Sequence, residues 1–172
     1  DAEVELILDD CGAKAIFLPS TFRGYDYAAM LARIRPRLPG LALVCGVRVD
    51  GDVPALAEAD RFERLVDASV PRHQGPEPDP DAVKMIMYTS GTTGRPKGVL
   101  HSHNTLQRAI RECARHWGIA SGDAFLMASP VTHVTGFSYG IEMPFLCGTR
   151  TVFMDRWVPA DAVALIDAEQ VA

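Results

Sequence analysis

Residues 88–98, Tyr-Thr-Ser-Gly-Thr-Thr-Gly-Arg-Pro-Lys-Gly, concentrate more chemistry than any other stretch of the chain. Gly91 and Gly94 let the backbone take φ > 0 and approach a ligand closely, because no Cβ intervenes. Successive backbone N–H groups in such a turn form an anion-binding concavity. The hydroxyls of Thr89, Ser90, Thr92 and Thr93 add donors, and Pro96 stiffens the chain before the point charge of Lys97. Lysine is scarce here, three against fourteen arginines, so Lys97 is not explained by abundance. The composition suits a polyphosphate; the competing reading is a polar turn between two strands. A Walker loop requires Gly-Lys-Ser/Thr, whereas Lys97 lies between Pro96 and Gly98. Gly-x-Gly-x-x-Gly is absent from the run, which leaves a dinucleotide fold without support.

The flanks must hold such a loop at both ends. Residues 83–88 and 99–102 read as short strands, so the loop is expected to join strand to strand and to be loosely ordered without nucleotide. Residues 104–117 carry Leu106, Ile110, Cys113 and Trp117 at helical spacing, with arginines opposite and Gly118 as terminator. Further helices are expected over 2–9, 25–35, 62–68, 136–146 (interrupted by Pro144) and 160–170. Further strands are expected over 15–18, 41–49, 124–128 and 149–153. This alternation implies a layered α/β sheet-and-helix architecture. Residues 71–81 hold four prolines and no apolar pattern, and so read as a linker. It separates an αβ scaffold part, 1–70, from a part carrying the chemistry, 82–172.

Two other sites compete. Gly136-Phe137-Ser138-Tyr139-Gly140 fits the Gly-x-Ser-x-Gly nucleophile elbow of α/β-hydrolases. That elbow needs a histidine downstream, and none follows His133. His101 and His103 on one strand would share a face, as a metal pair requires. No cysteine or carboxylate nearby completes a set, so no metal site is assigned.

The run 88–98 resembles the phosphate-binding signature of the adenylate-forming enzymes: acyl-CoA synthetases, peptide-synthetase adenylation domains and beetle luciferases. Asp81-Ala82-Val83, residues 99–106 with His103-Asn104, and the strand 148–153 are similar to the family's flanks. Pro130-Val131-Thr132-His133-Val134-Thr135-Gly136 is similar to its Pro-x-x-His-x-x-Gly segment. The resemblance implies a piece of the large domain of a carboxylate–CoA ligase, using ATP, Mg²⁺ and CoA on a small carboxylic acid. It implies that Thr89, Ser90, Gly91, Thr92, Thr93 and Gly94 hold the phosphates and that Lys97 is catalytic, neutralising the leaving pyrophosphate. His133, Val134, Thr135, Gly136 and Phe137 would wall the acyl pocket, with Met143 as a further candidate. A peptide-synthetase domain, which places an aspartate near the position of Phe137, is the alternative, and a non-enzymatic relative is another. The family's adenine, ribose and late-lysine elements are not in this sequence. The chain is therefore expected to be inactive alone and to expose apolar surface or self-associate.

Bulk properties agree with this. The net charge of −5 argues against a nucleic-acid partner, which demands a basic face. No apolar run approaches the ~20 residues of a membrane span. Cys11, Cys45, Cys113 and Cys147 are widely spaced, as buried thiols in a reducing, cytoplasmic setting would be.

Overall fold

A computed structural model of the chain describes residues 1–49, 53, 61–68, 75–89 and 94–172. The fold is α/β and divides into two units. One comprises Asp1–Pro76 with Tyr88–Gly98, the other Glu77–Met87 with Val99–Ala172. Residues 71–74 of the proline-rich stretch and 90–93 of the glycine-rich run lie outside the described residues.

In the first unit, strands β1 (Ala15–Leu18) and β4 (Leu43–Gly46) pair in parallel, Ala15 opposite Leu43. Between them come the short antiparallel pair β2 (Thr21–Phe22) and β3 (Tyr25–Asp26) and helix α2 (Tyr27–Ile34). Helix α1 (Ala2–Asp10) precedes β1, and α3 (Phe62–Ala68) follows β4. Leu31 and Ile34 of α2 are fully buried beside Leu18 and Val44, which fixes the helix on the sheet. A helix beginning at Tyr25 was expected. Instead Tyr25 and Asp26 belong to β3, because the Asp26 carboxylate accepts the Ala29 N–H at 2.8 Å and caps α2. Pro36 falls in a 3₁₀ turn, Arg35–Arg37, after the helix. The expected strand 41–49 contracts to Leu43–Gly46. At its start the Leu41 N–H closes a turn on Leu38, and beyond its end Arg48 has φ 50°.

In the second unit, β5 (Val83–Thr89) pairs with β6 (Lys97–Ser102), both strands running on into the first unit at their loop ends. A parallel crossover needs about a dozen residues or more. Residues 90–96 are too few, so these strands form a hairpin. Helix α4 (His103–Trp117) leaves β6 through a reciprocal cap. The Ser102 hydroxyl accepts the Thr105 N–H at 3.2 Å, and the Thr105 hydroxyl accepts the Ser102 N–H at 3.0 Å. Asn104 also donates to Asp81 at 2.7 Å, tying the start of α4 to the turn before β5.

Leu106, Ile110 and Ala114 form the buried stripe of α4. The expected fourth position, Trp117, is instead half exposed, and its ring meets Phe125 and Tyr139 at 6.3 and 5.0 Å. Strands β7 (Ala124–Met127) and β8 (Arg150–Phe153) pair in parallel. A π-helix (Gly136–Glu142), then α5 (Met143–Cys147), connect them; α6 (Pro159–Glu169) follows β8. The expected α-helix over 136–146 is thus π-helical for its first part. Pro144 does not interrupt it; it sits in the first turn of α5, where its missing N–H costs nothing. Among the described residues no helix is long and apolar enough to cross a membrane.

The second core depends on α4. Ile110 is 1% exposed, so Ile110→Ala should lower unfolding free energy by about 2–5 kcal/mol in chemical denaturation. Trp117→Ala should cost measurably less, since its ring is already half in solvent.

Candidate functional site

The hairpin supplies one candidate site. Its outgoing strand ends at Thr89, whose hydroxyl donates to the Lys97 carbonyl at 3.5 Å across the mouth of the loop. Gly94 has φ +83°, and nothing lies within 4 Å of where a Cβ would stand. Backbone conformation, not crowding, therefore demands glycine there. Ser90, Gly91, Thr92 and Thr93 lie outside the described residues. The return strand begins at Lys97, two residues earlier than expected, so this lysine stands on the sheet rim, not within the loop. Its side chain is exposed, and it makes no ion pair among the described residues.

The approach to the loop is anchored. Tyr88, the first residue of the run 88–98, donates its phenolic proton to Asp10 at the end of α1, at 2.6 Å. This hydrogen bond, with smaller effects of desolvation and neighbouring negative charge, pushes the Tyr88 phenol up to about 12. Nothing in the sequence singles out Asp10 as its partner, because 78 residues separate the two.

The second candidate site is the segment 130–137. The His133 N–H donates to the Pro130 carbonyl at 2.9 Å, and Phe137 N–H returns to the His133 carbonyl at 3.0 Å. Thr135 N–H donates to His133 Nδ1 at 3.2 Å. That contact makes Nδ1 an acceptor, so the neutral ring carries its proton on Nε2. The Thr135 hydroxyl lies 3.2 Å from the same nitrogen. His133 and Val134 are exposed and Thr135 is half-buried, so these three can meet a ligand. Gly136 serves packing: a Cβ there would stand 2.1 Å from the Pro130 carbonyl oxygen. The Phe137 ring is half-buried against the α4 core.

Several expectations are corrected by these placements. Met143 is 0% exposed in the core beside Leu106, Ile110 and Ala114, so it cannot line an acyl pocket. Ser138 is buried within the π-helix, with no strand running directly into it, which is incompatible with a nucleophile elbow. His101 lies within β6 whereas His103 opens α4, so the two do not share a strand face. Among the described residues no group of three His, Cys, Asp or Glu could hold a metal ion.

The phosphate-type residues Thr89, Gly94 and Lys97 belong to the first unit, and His133 to Phe137 belong to the second. A groove of about 270 Å³ beside Trp117, Ile119, Phe125 and Ala172 includes none of them. One pair escaped the sequence reading. Lys84 on β5 meets Glu142, the last residue of the π-helix, at 2.6 Å, with both side chains 17% exposed. A lysine inside an otherwise apolar strand was the available signal.

With this geometry established, the sequence matches the AMP-binding enzyme family over residues 1–172. The chain belongs to that family. It is 29% identical over 175 residues to the medium-chain fatty-acid–CoA ligase of Escherichia coli (strain K12), covering 99% of this chain and 30% of the ligase. It is 32% identical over 183 residues to the 2-hydroxy-7-methoxy-5-methyl-1-naphthoate–CoA ligase of Streptomyces carzinostaticus, covering 98% of this chain and 31% of that protein. The chain thus spans less than a third of either relative. The inhibitor-bound N-terminal domain of FACL13 from Mycobacterium tuberculosis superposes with TM-score 0.69 at 25% identity, covering 99% of this chain and 39% of that one. The O-succinylbenzoate coenzyme A synthetase of Bacillus subtilis, in complex with ATP and magnesium ion, has the same fold here. Its TM-score is 0.70 at 22% identity, covering 99% of this chain and 30% of that one.

The Tyr88–Asp10 tie has a pH signature in this AMP-binding chain. A phenol whose folded value is raised from 10.0 to about 12 stabilises the fold fully below pH 10, and the contribution disappears as pH rises through 12. The stability difference between the wild type and Tyr88→Phe should be constant from neutral pH to pH 10 and shrink above it. Urea midpoints measured across that range check this.

Proposed function

We propose that this chain carries the phosphate-holding and acid-facing elements of an ATP-dependent carboxylate–CoA ligase. In such an enzyme the acid's carboxylate attacks the α-phosphate of ATP, forming acyl-AMP and releasing pyrophosphate. The CoA thiol then displaces AMP to give the thioester. The observation that carries the reading is the family match along the whole chain, with the run 88–98 mounted on a strand-to-strand hairpin. The relatives' own names support acid–thiol ligation over amino-acid loading by a peptide synthetase.

Each candidate residue then has a task. Thr89, Ser90, Thr92, Thr93 and the amides around Gly91 and Gly94 would donate to the β- and γ-phosphates. The left-handed φ of Gly94 suits this, because anion-binding turns use residues in that conformation. Lys97, exposed on the sheet rim, would neutralise charge that builds on the departing pyrophosphate; preorganised donors act most where charge develops. His133 would offer its Nε2–H to the acid's carboxylate, with Val134, Thr135 and Phe137 beside the acyl group and Gly136 permitting the backbone to pass. Mg²⁺, brought in with the nucleotide beside the hydroxyls of Thr89, Ser90, Thr92 and Thr93, would offset the negative charge of the phosphates. The Bacillus subtilis complex with ATP and magnesium ion supports both ligands.

The acid is a small-molecule carboxylate, and the relatives' names run from medium-chain fatty to aromatic acids. The wide spacing of the four cysteines along the sequence suits a reducing cytoplasm. Self-association would run through exposed aromatic residues such as Phe145, 88% exposed, and Trp157, 63% exposed. Sedimentation velocity should show a weight-average coefficient that rises with concentration, less so for Phe145→Glu. A concentration-independent monomer would remove this part of the reading.

Lys97→Ala, made in the protein at the length of its ligase relatives, should slow adenylate formation by about 10²–10³-fold, the cost of losing one transition-state donor. Thioester formation from supplied acyl-AMP should change far less, since no pyrophosphate departs in that step. Pyrophosphate exchange and single-turnover thioesterification, measured separately, test the assignment. Equal losses in both would reassign Lys97 to folding or to general nucleotide binding.

A further inference from the structure

The π-helix Gly136–Glu142 begins one residue after Thr135 and ends at Glu142. A π-helical turn is rare because it holds one residue more than the surrounding α-helical geometry accommodates, and it survives only with outside support. Here three side-chain contacts to other elements supply it. The Thr151 hydroxyl on β8 donates to the Gly140 carbonyl at 2.9 Å. The Tyr139 phenol donates to Cys113 Sγ on α4 at 3.2 Å. Lys84 on β5 pairs with Glu142 at 2.6 Å.

The last contact differs in kind from the other two. Its partners are 17% exposed, so both charges are largely withdrawn from water. Such a pair gains little net stability over an apolar pair of the same volume, whereas losing one partner leaves an uncompensated charge. Its best-attested use is to fix register. Register matters at this position. Conversion of the π turn to α geometry would shift the hydrogen-bond ladder by one residue. Residues upstream would then rotate by about 100° relative to those downstream, the angle per residue of an α-helix. Immediately upstream stand Thr135 and, bonded to it through Nδ1, His133.

We propose that Lys84 and Glu142 are positioning residues whose ion pair locks the π register and so sets how His133 and Thr135 are presented to the acid. The presentation half rests on the role given above to His133; the register half rests only on the contacts just described.

The test uses Lys84→Met, the conservative Lys84→Arg, and the apolar double variant Lys84→Met with Glu142→Leu. Amide hydrogen exchange across residues 134–142 reads the register. Octanoate-dependent pyrophosphate exchange, in the protein at ligase length, reads presentation. Lys84→Met should speed amide exchange there and raise KM for octanoate, each by about tenfold, while kcat and KM for ATP stay within about twofold. Lys84→Arg should match the wild type. In the double variant Tm should recover while KM for octanoate stays raised, a split that a purely structural role would not give. The proposal is overturned if Lys84→Met leaves amide exchange unchanged. It is also overturned if KM recovers together with Tm, or if octanoate and ATP are affected alike. A wild type inactive with octanoate would count against the ligase reading; amide exchange in the three variants would then decide the register lock by itself.

Discussion

Pairing of β5 with β6 is the constraint on which the proposed chemistry depends. A loop rich in glycine and hydroxyls has no apolar side chain to hold it, so its ends must be held instead. The ladder does this from Val83 to Ser102, and the two ends of the hairpin are then secured differently. At the loop end Tyr88 reaches Asp10, and at the base Asn104 reaches Asp81. Ser102 ends the return strand and caps α4 in the same step, so the hairpin passes directly into the helix that carries Leu106, Ile110 and Ala114 into the core. Strand, cap and core residues are thus consecutive along the chain.

The acid-facing segment is held by a different device, close backbone approach. Gly136 lets its helix meet the Pro130 carbonyl, and Gly140 lets the same helix lie against Met127 and Phe153. A side chain at Gly136 would push the helix off the Ser129–Pro130 backbone, and one at Gly140 would push it off β7 and β8. Gly-x-Ser-x-Gly here is therefore a packing signature, and the buried Ser138 between the glycines is part of that packing.

Local patterns were legible in the sequence wherever the physics is local. The strand-to-strand loop, the helix that buries Leu106 and Ile110, and the strands near residues 15 and 150 all follow from spacing and from turn residues. Boundaries set by capping were less so: Asp26 moved the start of α2, and Ser102 moved that of α4. The π register could not be read, because the periods of the α- and π-helix differ too little over seven residues; side chains from β5, α4 and β8 select between them. Met143 was mistaken for a pocket residue because an apolar residue near a site looks the same whether it faces ligand or core. Lys84 and Asp10 were missed because their partners lie 58 and 78 residues away.

The ring cluster around Trp117 has an optical consequence. The chain holds two tryptophans. They differ more in neighbours than in exposure: Trp117 is 48% exposed and lies on Tyr139 and Phe125, whereas Trp157 is 63% exposed with no described ring partner. Tyr139 is itself part of the π-helix, so any rearrangement of that turn moves the nearest neighbour of one indole and leaves the other as an internal reference. The protein thus carries a built-in fluorophore against the π-helix that follows the segment proposed to meet the acid, and its emission can be followed without attaching a dye.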